Sequence, residues 1–301
     1  MGCLRFNGSG MQELLQYLFS GITNGAVYAV IALGFSMLYA STGLINFAHG
    51  EFVMVGALSL ISFWKGLKLP LPVAFAGSVA ITAAAGLLLE RLAIRSVRKP
   101  HPIVLVIITV GASILIRGVA MIGWGKDSHS APYYSDHPPI DLAGATLLPQ
   151  SVWVLALTLL VVLGLHYFYK KFLTGRAMLA TAIDKKAASV VGIPTDRMVL
   201  LAFAMSAAMG GIGGALIAPL SMSSFDMGMN LGLKGFCAAM IGGLGSSWGA
   251  ILGGLLLGVL EALGVGFLSS GSKDASAFVL LLLILYFRPT GLFGKAAVQR
   301  F

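Results

Sequence analysis

The residues with the clearest capacity for chemistry lie in a short polar stretch of an otherwise apolar region. Asn46, His49 and Glu51 stand close together, and the last two are the only acidic, basic or histidine residues between Leu14 and Trp64. A charged side chain at the bilayer centre costs about 2.5–3.5 kcal/mol on insertion scales, so such groups usually face a bundle interior or a wet cavity. Two interpretations stay open: the three residues line or gate a solute path, or they form a buried polar cluster that fixes helix register.

Two glycines stand beside this polar stretch, and two further charged residues lie inside other apolar segments. Gly43 and Gly50 bracket the polar stretch, as expected where a helix is interrupted and its backbone groups become available for pairing or solute contact. Arg117 and Glu261 lie deep inside other apolar segments. We expect each to pair with a neighbouring residue, although a place on the solute path is the alternative.

Motifs for other chemistry are missing from the sequence. It contains no phosphate-binding loop of the GxxxxGK[ST] type, no GxSxG elbow and no HExxH pair. Its two cysteines, Cys3 and Cys237, are far apart and form no framework. The sequence therefore predicts no enzyme activity, no catalytic residue, no cofactor and no metal site.

The elements that must hold these residues follow from composition. The chain of 301 residues is 57% hydrophobic and 10% charged, whereas soluble domains carry about 25% charged residues. Because a bilayer crossing takes about 20 apolar residues, the sequence predicts one all-α, polytopic transmembrane bundle spanning 1–301, with about eight to nine membrane segments, some broken or short. The apolar segments are 14–40, 43–64, 69–90, 102–122, 151–169, 198–218, 235–268 and 275–288, and the long one is expected to break at Gly242–Gly249.

The basic residues orient this bundle. One short loop carries Arg91, Arg95, Arg98 and Lys99, and another, at about 170–197, carries Lys170, Lys171, Arg176, Lys185, Lys186 and Arg197. Lys and Arg accumulate in cytoplasmic loops, so both loops should face the cytoplasm. The same bias explains the net charge of +9, and no nucleic-acid partner is needed to account for it. The loop at about 123–150 then faces outward. Arg288, Lys295 and Arg300 place the C-terminus inside, and the side of the N-terminus stays open.

The loop at 170–197 also predicts a structure of its own. It is rich in alanine, which favours helix, and Gly192 followed by Pro194 is a helix-stop signal. On one helix, an apolar face would be shared by Ala180, Ile183, Ala187, Val190 and Val191. Such a helix either docks into a groove on another protein or lies at the lipid interface.

Four stretches resemble a known family. They are GLINFAHGEFVMVG at 43–56, the loop at 175–197, GLKGFCAAMIGGLGSSWGAILGGLLLGVLE at 232–261 and RPTGLFG at 288–294. With them, nearly the whole chain, about 14–294, resembles branched-chain amino acid ABC transporter permeases of the LivH type.

The resemblance implies a multi-pass subunit embedded in the lipid of the bacterial inner membrane. It implies that this subunit moves branched-chain amino acids or related small polar solutes across that membrane. It implies three kinds of partner: a second homologous permease, two ATPase subunits and a periplasmic solute-binding protein. It also implies that the ATPases engage a coupling loop, whose residues are Gly175, Arg176, Ala182, Asp184, Ala187, Ala188 and Gly192. This chain departs from the pattern at Lys186, where many ABC permeases carry Glu, and at Leu179, where close relatives often carry a basic residue.

Other functions remain open from the sequence. Permeases for urea or short amides belong to the same family. An ion-coupled secondary transporter would use His49, Glu51 and Glu261 as intramembrane ionisable groups, but it gives the alanine-rich loop no evident role. A membrane protein with a purely structural role fits the glycine-rich segments, although not the polar groups at 46–51.

Overall fold

The protein is a bundle of helices, seen here in a computed structural model that describes residues 8–97, 101–135, 137–142, 144–267, 273–288 and 290–294. Helices dominate because backbone polar groups in an apolar medium must be paired within the segment. The helices are α1 Gly8–Thr42, α2 His49–Ile61, α3 Leu71–Leu89, α4 Pro102–Trp124, α5 Pro149–Lys171, α6 Leu173–Ile183, α7 Lys185–Val190, α8 Thr195–Ile217, α9 Met227–Gly242, α10 Ser247–Phe267 and α11 Lys273–Phe287. Short π-helical turns extend α2 over Ser62–Gly66 and α3 over Glu90–Ile94. A small antiparallel hairpin joins β1 Ile140–Leu142 to β2 Ala145–Leu147, with Asp141 opposite Thr146.

Six of the described helices are long and apolar enough to cross a membrane, namely α1, α3, α4, α5, α8 and α10. The remaining apolar segments form the shorter helices α2, α9 and α11. The predicted all-α, polytopic bundle is confirmed, and the figure of eight to nine crossings remains approximate because three segments are short. The break predicted within 235–268 is confirmed between α9 and α10, where Gly243 and Gly245 adopt φ of +100° and +86°. The first piece begins earlier than predicted, at Met227.

Glycines set the distances between the central helices. A Cβ at Gly214 in α8 would collide with the carbonyl oxygen of Val53 in α2, and a Cβ at Gly258 in α10 would collide with Gly25 in α1. Small residues let membrane helices approach closely where lipid offers no hydrophobic drive for association. As a result α1, α2 and α8 form the best-buried part of the protein.

The two ends of the bundle are distinguished by their loops. At the end that we call the basic end, a cavity of about 640 Å³ is lined by Glu90, Arg95 and Lys185, so the two predicted basic loops meet there. The described C-terminal segment lies at the same end, because the Phe293 amide donates to the carbonyl of Gly242, where α9 ends. Arg98, Lys99, Lys295 and Arg300 lie outside the described residues.

The opposite end, the hairpin end, carries the loop at about 123–150. The side chain of Gln16 in α1 donates to the carbonyl of Thr146 at 3.1 Å and accepts from its amide at 2.8 Å. The start of α1 therefore lies at this end, which the sequence left open. The Tyr134 hydroxyl donates to the carbonyl of Ala215 near the end of α8, and burial raises the pKa of this phenol above its ordinary value. Asp136, part of the predicted outer loop, lies outside the described residues.

Candidate solute path and coupling loop

The chain between α1 and α2 is irregular and runs back into the bundle. His49 lies against Ile31 of α1, which is 11 residues before the end of that helix, or about 16 Å at the helical rise. Irregular backbone at such depth requires partners for its polar groups. Asn46 Oδ1 accepts from the Ala48 amide at 3.0 Å, and Thr109 of α4 accepts from the Phe47 amide at 3.2 Å. Asn46 is buried and fixes the start of α2.

His49 is fully buried where three helices meet. Its Nε2 lies 3.1 Å from the carbonyl oxygen of Ile31 in α1, and its Nδ1 lies 3.2 Å from the hydroxyl of Ser206 in α8. The Phe35 ring packs edge-on against the imidazole at a centroid distance of 4.4 Å. A Cβ at Gly34 would collide with the ring. His49 therefore joins α1, α2 and α8 through both ring nitrogens.

Glu51 forms a buried ion pair in the first turn of α2. Its Oε1 accepts from Arg117 Nη2 at 2.5 Å and from the Ser113 hydroxyl at 2.9 Å, both from α4. Arg117 is 27% exposed, whereas Glu51 is 1% exposed. The interaction confirms the expectation that Arg117 pairs with another residue, although its partner comes from a different apolar segment.

A cavity of about 300 Å³ adjoins this ion pair. Its walls come from α1, α2, α4, α9 and the segment before α2, and they are mostly apolar. Among the wall residues are Phe35, Phe47, Val110, Ile114, Met229 and Phe236, with Glu51 and Arg117 supplying the charge. Ile114 and Met229 are exposed at the surface of this single chain, so the cavity opens on the side of the bundle.

A second ion pair joins α9 to α10. Lys234 Nζ lies 3.0 Å from Glu261 Oε1, and the Tyr28 hydroxyl of α1 donates to the same oxygen at 3.3 Å. Glu261 therefore pairs as expected. The sequence reasoning missed Lys234 as the partner, although it was the only basic residue in the short segment before the glycine-rich break.

The loop at 170–197 differs from the prediction of one amphipathic helix. Asp184 adopts an extended conformation, with φ −153° and ψ +106°, and separates α6 from α7. Its carboxylate accepts from the amides of Lys186 and Ala187 at 2.9 and 3.0 Å. Aspartate is a preferred residue at helix N-termini because it satisfies such unpaired amides. The shared face predicted for Ala180 through Val191 on a single helix is therefore wrong.

The end of α7 matches the predicted stop signal. Gly192 has φ +87°, the Ile193 amide donates to the carbonyl of Ala188, and the Gly192 amide donates to that of Ser189. These two bonds are those of the Schellman motif, which favours glycine at the left-handed position. Gly192 thus ends α7 as predicted.

The remaining predicted loop residues hold α6 in place. Gly175 lets α6 approach α5, since a Cβ there would meet the carbonyl oxygen of Phe168 at 2.5 Å. The Arg176 guanidinium donates twice to the carbonyl of Lys170, at 2.8 and 3.1 Å. Ala182 lines the cavity at the basic end, and Ala188 is buried between α7 and its neighbours.

One surface of this loop is apolar and exposed. Ile183, Val190 and Val191 are 83%, 87% and 76% exposed. We call these three residues the apolar patch. Ile183 ends α6, Val190 ends α7 and Val191 follows it, so the patch flanks a short helix whose two ends are capped by Asp184 and Gly192.

Comparison with known proteins shows the family to which this helical bundle belongs. Residues 17–287 match the family model described as the branched-chain amino acid transport system permease component. The chain belongs to this family. The LivH permease protein of the high-affinity branched-chain amino acid transport system of Escherichia coli is 36% identical over 95% of this chain and 97% of its own length.

Two further similar proteins are more distant. The LivM permease protein of the same Escherichia coli system is 27% identical over 91% of this chain and 69% of its own length. A solved structure of PsaBC from Streptococcus pneumoniae in complex with Fab is 16% identical over 95% of this chain and 94% of that chain, with a TM-score of 0.48.

The structure brings some of the predicted site residues together. Asn46, His49 and Glu51 follow one another at the start of α2, but Glu51 alone of the three lines the apolar cavity. Their role on a solute path remains a prediction. Sequence reasoning missed Ser113 as a partner of Glu51; one polar residue four positions before Arg117 on a helix was the available signal.

Proposed function

We propose that this protein is the permease subunit of a binding-protein-dependent ABC importer for branched-chain amino acids in a bacterial inner membrane. The apolar patch at the basic end is the observation that carries the proposal. Three exposed aliphatic side chains, at the ends of α6 and α7 and just after α7, have no evident role in a permease that works alone. Two partner ATPase subunits, which supply the energy, dock on this surface from the cytoplasm.

The lipid interface is the other possible environment for the patch. Many amphipathic helices that lie at lipid are about 20–30 residues long, with basic residues on the polar face. Helix α7 has six residues, and its exposed surface follows an extended residue rather than a continuous helical face. Docking into a groove on a protein therefore fits the geometry better.

A second, homologous permease completes the path. LivH and LivM are different proteins of one Escherichia coli system, and both are similar to this chain. The cavity beside Glu51 opens on the side of the bundle, where a second subunit closes it into a path. Asn46 and His49 keep the broken segment in place beside this path, and Glu51 faces it. A periplasmic binding protein delivers the solute at the hairpin end.

The test is co-purification of the ATPase subunits with the permease pair in detergent, without binding protein. We expect Val190→Asp to lower the amount of bound ATPase at least tenfold, because a charge replaces the most exposed side chain of the patch. Met222→Asp is the matched control, since it also places an acid at an exposed apolar residue, but at the hairpin end. Undiminished ATPase binding by Val190→Asp, or ATP-independent uptake of leucine, would overturn the proposal.

A further inference from the structure

The cavity beside Glu51 combines two features that together resemble a binding site. Its walls are mostly aliphatic and aromatic, and one side carries a carboxylate and a guanidinium in direct contact. Its volume of about 300 Å³ lies at the lower end of the range of about 300–1,000 Å³ for small-molecule sites. Such sites are mostly apolar, with a few polar groups that fix the orientation of the ligand.

The charged side of the cavity is incompletely paired. Oε1 of Glu51 receives both of the bonds from α4. Within the part of the chain that the structure describes, Oε2 of Glu51 and Nε of Arg117 are buried without a hydrogen-bond partner. Leaving a buried charged group without its bonds is unfavourable. The pair is therefore better suited to receive a ligand than to close α2 on α4 alone.

Glycine keeps the carboxylate next to this space. A Cβ at Gly228 in the first turn of α9 would meet Oε2 of Glu51 at 2.5 Å. Gly228 and Gly232 both line the cavity. The unpaired oxygen thus faces the first turn of α9 at a place without a side chain, on the wall of the cavity.

We propose that this cavity is a subsite in the permease that recognises small aliphatic amino acids as zwitterions. The ammonium group binds Oε2 of Glu51, the carboxylate binds Arg117, and the aliphatic side chain lies against Val110, Ile114 and Met229. An α-amino acid carries its two charges on one carbon, so its receptor needs a cation and an anion side by side, as Glu51 and Arg117 are. A charged side chain on the solute would lie against the apolar wall and is disfavoured.

The inference rests on the proposed function and extends it. In the simplest version of that function, the binding protein alone selects the solute and the path reads little of it. The subsite instead gives the permease its own preference for zwitterions with aliphatic side chains of limited size.

Size selection provides the decisive test. Radiolabelled leucine binding is measured on the complete permease–ATPase complex in nanodiscs, without binding protein, with alanine as competitor. Ile114→Trp fills the cavity from an exposed wall position and is expected to raise the preference for alanine over leucine at least fivefold. Leu115→Trp is the matched control, because Leu115 is equally exposed on α4, at 68% against 65%, but does not line the cavity. A second pair of variants, Glu51→Gln and Arg117→Gln, removes one charge each, and each variant is expected to weaken leucine binding at least tenfold.

The outcomes separate the subsite from the importer. An unchanged preference in Ile114→Trp relative to Leu115→Trp overturns the subsite, even if Glu51→Gln binds less leucine because the bundle is perturbed. ATP-dependent uptake by the unmodified complex with its binding protein is measured in parallel. If that uptake is present and the size preference does not shift, the proposed importer function is supported and the proposed subsite is wrong. If leucine binds with the expected preference but uptake needs no ATP, the proposed function fails and the site remains.

Discussion

The buried ion pair between α9 and α10 allows a quantitative test of how the bundle is stabilised. Lys234 Nζ lies 3.0 Å from Glu261 Oε1, and the two side chains are 10% and 3% exposed. At that distance two unit charges attract by about 5.5 kcal/mol with an effective dielectric constant of about 20. Removing one partner of a buried pair costs about 3–5 kcal/mol, because the other charge is left without compensation.

We therefore expect Lys234→Met to lower the free energy of unfolding of the permease by about 3–5 kcal/mol. The double variant Lys234→Met/Glu261→Gln removes both charges and should recover most of this loss, since neutral replacement of a buried pair is often tolerated. The amide oxygen of the introduced glutamine would still accept from the Tyr28 hydroxyl, which now donates to Glu261.

The assay is reversible unfolding in mixed micelles, followed by circular dichroism. Lys65→Met is the control, because Lys65 is exposed and surface substitutions usually change stability by less than about 0.5 kcal/mol. A buried, stabilising ion pair is excluded if Lys234→Met is as stable as the control, or if the double variant is no more stable than the single one.

Three further substitutions test other contacts. Gly214→Ala should destabilise the bundle by about 1–3 kcal/mol, since its methyl group would collide with the backbone of α2. Gly118→Ala is the control and should leave stability unchanged, because Gly118 has open space around it. Thermal unfolding in detergent compares the two variants. Gly192→Ala places a side chain at φ +87°, which costs about 1–2 kcal/mol, and should lower ATP-driven leucine uptake without lowering permease expression. Asp184→Ala removes the bonds to the first amides of α7 at a cost of about 1 kcal/mol and should weaken ATPase binding in a pull-down. Asp184→Asn keeps an oxygen that can accept these bonds and should bind ATPase more strongly than Asp184→Ala. Equal binding by the two variants would contradict the capping role.

The sequence predicted the features that depend on local chemistry. The interruption around residues 43–48 and the break before Ser247 follow from glycines, and Gly43, Gly243 and Gly245 all have positive φ in the structure. The polar residues at 46–51 were expected inside the protein because a bilayer excludes them, and Asn46, His49 and Glu51 are indeed buried.

What the sequence could not give depends on which helices lie side by side. Glu51 and Arg117 are 66 residues apart, and nothing local to either segment indicates that α2 packs beside α4. The division at Asp184 is a different case. The alanine-rich composition favoured one continuous helix, but an aspartate shortly before the pair Ala187 and Ala188 was a recognisable N-cap signal.

In the proposed function, the nucleotide cycle of partner ATPases moves this bundle through α7. A cysteine at residue 190, in a background with Cys3→Ser and Cys237→Ala, is cross-linked in proteoliposomes that accumulate leucine with ATP and a solute-binding protein. We expect a permease–ATPase adduct whose yield differs between nucleotide-free and vanadate-trapped complexes. Accumulation of leucine without any adduct in either state would contradict it.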